Sequence, residues 1–350
     1  MKKVSCSILL LVAVLFTACQ EKRVSSDFAD AVSFGYEDFK ETQTLHAAEW
    51  GMDSLLATPV QLKVCENLLL VMNSRDERML HVFDLNTKQL LAKHIAVGQG
   101  PNDMLAPRFA DMDDSYLYVY DIMTSEVAKY LKSELADTAL LVKQTKVKPK
   151  KRSMGEARVL GEGFVAPARS ANFKLYQYNV QGEVVDTLGR NPQVSWNTTP
   201  KEQIDMFEFA CLTDKREKIA LFYYWTDLLD IYDKEGNLLK RLHGPEGFVS
   251  PFKEVQRGQI MMAAPVDGKT RAAYIVPQSV GDELWVLFSN RLSNDENYLD
   301  TQILVFDWEG NPLRILNLNQ GIFSFAVDET HRKIYGISDS PEFHILEYAY

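Results

Sequence analysis

The chain has 350 residues, 46% of them hydrophobic and 25% charged, with a formal net charge of −10. That length admits two domains, and the acidic balance excludes nucleic acid and anionic lipid headgroups as electrostatic partners. Apolar residues come in short alternating runs, not in i, i+3, i+4 stripes, which excludes long amphipathic helices.

Lys2 and Lys3 precede an apolar run over residues 8–16, too short for a membrane-spanning helix, which needs about 20 residues. A basic start, a short apolar run and the small residues Thr17 and Ala18 predict a signal peptide over residues 1–18. Phe16-Thr17-Ala18-Cys19 resembles a bacterial lipobox, departing from it at Phe16, where Leu is usual. The resemblance implies lipid attachment at Cys19. Gln20 in place of Asp at the next position implies the outer rather than the inner membrane. Two or more acyl chains anchor a protein stably. Residues 19–41 are polar with little periodicity and are predicted to be a tether. With Cys6 in the signal and Cys19 lipidated, Cys65 and Cys211 remain. They form no CxxC and no metal spacing, and are expected to be free, buried thiols.

From residue 42 onward a phrase recurs: V-F-D-L-N-T-K at 82–88, Y-N-V-Q-G-E at 178–183, I-Y-D-K-E-G-N at 231–237 and V-F-D-W-E-G-N at 305–311. Each copy joins two apolar runs, so each predicts a hairpin, with Gly giving a positive φ and Asp or Asn bonding its own backbone. Candidate innermost strands at 60–64, 109–112, 157–160, 207–212, 272–276 and 323–327 recur at a period of about 50 residues, the sign of stacked sheets. The prediction is an all-β fold over residues 42–350, a six-bladed β-propeller with four-stranded antiparallel blades. Blade six ends after its third strand at 344–348. Open edges are a liability, so residues 42–48 are predicted to supply its outer strand and close the ring. Insertions are expected at 248–268 and 290–300.

The lipobox-like Cys19, the repeated V-F-D-x-x-G and the turn G-Q-G-P-N-D at 98–103 together resemble the six-bladed TolB-like propeller lipoproteins of Gram-negative bacteria. The resemblance covers the mature chain and implies an architecture; it transfers no catalytic residue.

No nucleophile elbow, phosphate-binding loop, zinc motif or calcium-loop spacing is present. His81, His94, His243 and His344 fall on predicted third or fourth strands, away from the channel. The run 143–152, K-Q-T-K-V-K-P-K-K-R, reads as a strand end and inter-blade loop, or as a dock for lipopolysaccharide phosphates or an acidic polysaccharide. Propellers bind ligands on the face built by loops between second and third strands and by inter-blade turns. Those loops hold Arg75, Asp76, Arg169, Asn172, Trp225, Asp227, Asn290 and Arg291, residue types suited to recognition. The expected function is a non-enzymatic, lipid-anchored binding or scaffold module of the cell envelope, a monomer that touches the membrane through its anchor and takes a protein or glycan partner. No cofactor is predicted; the acidic loop 294–297 offers oxygens to a calcium ion. The alternative is a metal-dependent, lactonase-like hydrolase with a divalent ion in the channel.

Overall fold

The computed structural model describes residues 24–51, 55–153, 155–214 and 217–350. Six antiparallel sheets form a ring. Their innermost strands are Pro59–Cys65, Pro107–Met112, Arg158–Leu160, Phe209–Thr213, Tyr274–Val280 and Ser324–Asp328. Each lies against the next, and the sixth lies against the first. The blades match the predicted ones in number and order.

The strand pattern explains the ring. In blade one the second strand, Leu68–Asn73, is buried along its whole length. Its alternate residues go to different places: Leu68, Leu70 and Met72 pack toward blade two, whereas Leu69 and Val71 pack toward blade six. Blade five does the same. Leu284, Val286 and Phe288 face blade four, and Trp285 and Leu287 face blade six. A period of two with both faces apolar is what a sheet between two neighbouring sheets requires. The six apolar clusters among the described residues correspond to the six interfaces, so the core is a ring of cores around a polar centre.

The recurring phrase forms the predicted turns. Asp307 accepts the backbone N–H of Glu309 and Asn311 at 3.0 and 2.7 Å, and Asp233 and Asn179 act likewise in their own turns. Gly236 takes φ +80°, and a Cβ there would stand 2.9 Å from the Leu188 Cβ, so both conformation and space require glycine. In blade one Lys88 takes the left-handed position, with φ +60°.

The N-terminal region departs from expectation. Ala47–Glu49 is the outer strand of blade six, antiparallel to His344–Ala349, and closes the ring. Residues 41–45 do not join it. Glu41–Leu45 runs parallel to the outer strand of blade five as a fifth strand. The predicted tether is also bound from Val24 onward. Val32–Ser33 adds in parallel to the outer edge of blade four, and Phe28 is fully buried with its ring edge-on to Trp196, Phe207 and His243. The cause is three phenylalanines spaced through a polar stretch. Phe28, Phe34 and Phe39 each pack into the clusters flanking blade four, between blades three and five. Arg241 locks the belt: it bonds Asp30 at 2.5 Å and the fully buried Asp230 through two nitrogens at 2.7 Å. Burial pushes the guanidinium pKa down, and the Asp230 carboxylate more than offsets this, holding it above its ordinary value. The signal peptide and Cys19 lie outside the described residues.

Candidate functional site

In each blade the strands run alternately, so the inter-blade turns and the loops between second and third strands share one face. That face carries all eight predicted recognition residues, but many are used internally. Asp227 is fully buried. It accepts the backbone N–H groups of Glu246, Gly247 and Phe248 at 3.0, 2.7 and 2.9 Å. It is a clamp on the G-P-E-G-F turn. Asp76 accepts from Lys93 at 2.8 Å and from His81 at 3.0 Å; burial pushes its carboxyl pKa up, and the Lys93 bond, the Arg78 backbone N–H and the charges of His81 and Lys93 together outweigh this and leave it below the usual range. Arg291 grips the buried Asp300 through two nitrogens at 2.9 and 3.3 Å and ties off the loop between them. Asn290 stands at φ +52°, and its Oδ1 is buried with no hydrogen-bond partner among the described residues. Arg75 and Asn172 are exposed. Arg169 is exposed and pairs with Asp205.

Two elements added to the blades stand on this face. A short helix, Pro200–Met206, precedes blade four. Thr199 caps it by accepting the Glu202 N–H at 3.3 Å while Glu202 accepts the Thr199 N–H at 2.9 Å, with Pro200 in the first turn. The insertion before blade five is a two-stranded hairpin, Phe252–Arg257 with Ile260–Pro265, packed against that helix. Trp225 joins the two. Its ring lies 5.8 Å from that of Phe252, and its N–H donates to Glu208 at 3.1 Å. Thus Arg169 and Trp225 are brought to one wall over blades three to five, while Arg75 remains apart on blade one.

The channel holds a polar cluster that the sequence reading missed. Gln61 on blade one accepts the Phe109 N–H of blade two at 2.8 Å and donates to Glu156 of blade three at 3.0 Å. Arg158 bonds Glu156 at 3.0 Å, and Thr213 of blade four donates to Asp111 of blade two at 3.4 Å. Two of these bonds skip a blade, so side chains bridge the lumen. Register shifts at Val60 and Ala110 place bulges in the inner strands of blades one and two; bulges re-aim side chains, here Gln61 and Asp111. Lys63 and Arg108 complete the group. Burial pushes the Lys63 pKa down; Asp111 opposes this and Arg158 adds to it. Burial likewise lowers Arg108, against Glu156. The signal for this cluster was charge in strands expected to be innermost: Lys63, Asp111 and Arg158.

Among the described residues no three His, Cys, Asp or Glu converge to hold a metal ion. His81, His94 and His243 are buried in blades one and four. Cys65 and Cys211 are free and buried, on blades one and four as expected, and burial pushes the Cys211 thiol up to about 12. The basic run is largely tied down. Lys143 pairs with Glu126 at 2.7 Å, Lys150 pairs with Glu183, and Lys151 lies 4.5 Å over the Tyr176 ring. No described helix is long and apolar enough to cross a membrane.

Among solved structures the chain resembles a DUF4221 family member from Bacteroides vulgatus, at 9% identity and a TM-score of 0.51, over 87% of this chain and 95% of that one. A putative exported protein from Bacteroides fragilis matches at 11% identity and a TM-score of 0.47, over 90% of this chain and 98% of that one. At these identities the first likeness shows fold alone. No curated protein matches. The family model described as TolB-like 6-blade propeller-like matches residues 36–330, which agrees with the blade count, the closure and the repeated turns, and the chain belongs to that family of six-bladed TolB-like propellers.

Proposed function

We propose that this protein is a lipid-anchored propeller of the cell envelope that binds a protein partner, rather than an enzyme, and that recognition uses the wall over blades three to five. The observation that carries this is the pair of added elements on that face. Neither the helix nor the hairpin is needed to complete a blade. The hairpin also holds Met261 and Met262 40% and 38% exposed, and methionines on a raised surface suit adaptable protein contacts. Arg169 and Trp225 beside them are residue types that dominate binding energy.

Anchoring at Cys19 would hold the ring close to the bilayer, because the stretch to Val24 spans at most about 18 Å fully extended. Blade four would then be the membrane-proximal side. Cys19→Ser should release the chain from membranes; a variant that stays membrane-bound would refute the anchor. For the face, the full chain carrying Met261→Glu and Met262→Glu, both exposed, should melt like the wild type yet lose a protein that co-purifies with the wild-type chain from solubilised envelopes. Retention of every partner would overturn the assignment.

A further inference from the structure

We propose that the rim of blade two binds an acidic sugar, a uronate unit of a polysaccharide, in a cavity that the basic run 143–152 closes on one side. The site lies apart from the wall over blades three to five and stands independently of it. The cavity measures about 330 Å³, near the lower bound of about 300 Å³ for small-ligand pockets, which suits one sugar ring. Three segments enclose it: the inter-blade turn at 98–103, the blade-two loop at 121–126, and the outer strand Thr145–Val147 with its flanks.

The sequence of each segment turns it toward the cavity. In the G-Q-G-P-N-D turn, Asp103 folds back to accept the Gly100 N–H at 3.0 Å. A Cβ on Gly98 or Gly100 would stand 2.5 Å from that carboxylate, so both positions require glycine. Lys143 ties turn to loop, donating to the Asp103 carbonyl at 2.9 Å and to Glu126 at 2.7 Å. Lys146 and Lys148 flank Val147, and side chains alternate along a strand. Val147 packs against the apolar cluster between blades two and three. The two lysines therefore turn the other way and line the cavity.

The lining is graded from floor to mouth. Asp121 on the floor is 2% exposed and receives the N–H groups of Leu105, Met123 and Thr124 at 2.7, 2.8 and 3.2 Å. At the mouth Lys146 is 54% exposed, and Lys148 and Gln99 are exposed beside it. Lys146 reaches a carboxylate only at 4.0 Å, that of Glu126, which Lys143 already holds. Among the described residues the Lys148 ammonium and the Gln99 amide have no hydrogen-bond partner. Arg152 stands by the same loop, bonded to the Ile122 carbonyl at 3.5 Å. A bare phosphate entering here would meet the carboxylates of Asp103 and Asp121. A uronate fits both levels: its hydroxyls donate to the remaining lone pairs of the floor, and its own carboxylate takes the ammonium groups of the mouth. The acidic chain as a whole repels a polyanion. The run 143–152, with Lys or Arg at six positions and no acid, reverses that sign locally.

The test is calorimetric titration of the full chain, at constant ionic strength, with tetrasaccharides of galacturonate, mannuronate and guluronate. Fully methyl-esterified tetragalacturonate and inorganic phosphate are titrated beside them. One saturable site is expected for at least one free uronate, and none for the ester or for phosphate. Lys146→Gln with Lys148→Gln should weaken binding at least about tenfold, the loss of one charge-assisted bond, and should melt like the wild type because both side chains are exposed. Lys146→Arg with Lys148→Arg, which keeps the charge, should retain binding. Lys234→Gln, on the opposite face, should bind as the wild type does. So should Met261→Glu with Met262→Glu, which separates this site from the wall. The proposal is overturned by no saturable heat with any uronate, by binding that survives the paired glutamine variant, by equal binding of the ester, or by displacement of the sugar with phosphate.

Discussion

Asp227→Ala should unfold the ring early, because Asp227 is an internal clamp. Its carboxylate is fully buried and accepts three backbone N–H groups of the 246–248 turn. Truncation leaves three donors without an acceptor. Each such donor costs about 1–3 kcal/mol when it stays buried, and partial relaxation of the turn brings the total to about 4 kcal/mol. Unfolding entropy near 2.1 cal/mol/K per residue amounts to about 0.6 kcal/mol/K for a ring of roughly 300 residues, so the melting temperature should fall by about 6 °C. Asp227→Asn separates shape from charge. Its Oδ1 can serve Glu246 and Gly247, but its NH₂ then opposes the Phe248 N–H, and about half the loss is expected. Differential scanning calorimetry reads both variants. An Asp227→Ala protein that melts within about 1 °C of the wild type would refute the clamp.

Three further outcomes follow from buried groups. Phe28→Ala should cost about 3–5 kcal/mol, since it empties a fully buried site among three rings; urea unfolding measures it, and a loss below about 1 kcal/mol would mean the belt is only loosely attached. Burial lowers the pKa of both His81 and His94 in the folded chain. The unfolded chain therefore takes up protons that the folded chain refuses, and stability should fall as pH drops below about 6.5, by up to about 1.4 kcal/mol per pH unit for each histidine, until the folded values are reached. His94→Gln should flatten that loss, and an unchanged slope would contradict the assignment. Burial raises both thiols, so Cys65 and Cys211 should resist alkylation in the native chain and react on unfolding; rapid native labelling of either would contradict the packing.

The sequence made the ring legible because its loudest signal is geometric. A turn that needs Asp or Asn, and in most copies Gly, repeats in four of the six blades, and Asp307 and Gly236 take the predicted parts. Inner strands could be placed because each blade restarts the same apolar alternation. The belt was not legible. Phe28, Phe34 and Phe39 sit singly in polar sequence, and only the grooves beside the outer strands, a tertiary feature, make them bind. The internal roles of the polar loop residues were not legible either. Asp227 and Arg291 have the chemistry of recognition, but sequence cannot tell a ligand's amide from the chain's own, and both are used on their own loops. The short helix announced itself in Thr199-Pro200-Lys201-Glu202, a capping box with proline in its first turn. The channel cluster was signalled by charge where an inner strand should be apolar, at Lys63 and Arg158.

The central functional claim is that partners meet the wall over blades three to five and not the opposite face, which carries the repeated turns. Site-specific photo-crosslinking in intact cells tests it, with the crosslinker placed at Met261 on the hairpin or at Lys234 in the blade-four turn, both exposed. A discrete protein adduct from Met261 with none from Lys234 is the predicted result. Adducts from Lys234 alone, or equally from both positions, would contradict the account.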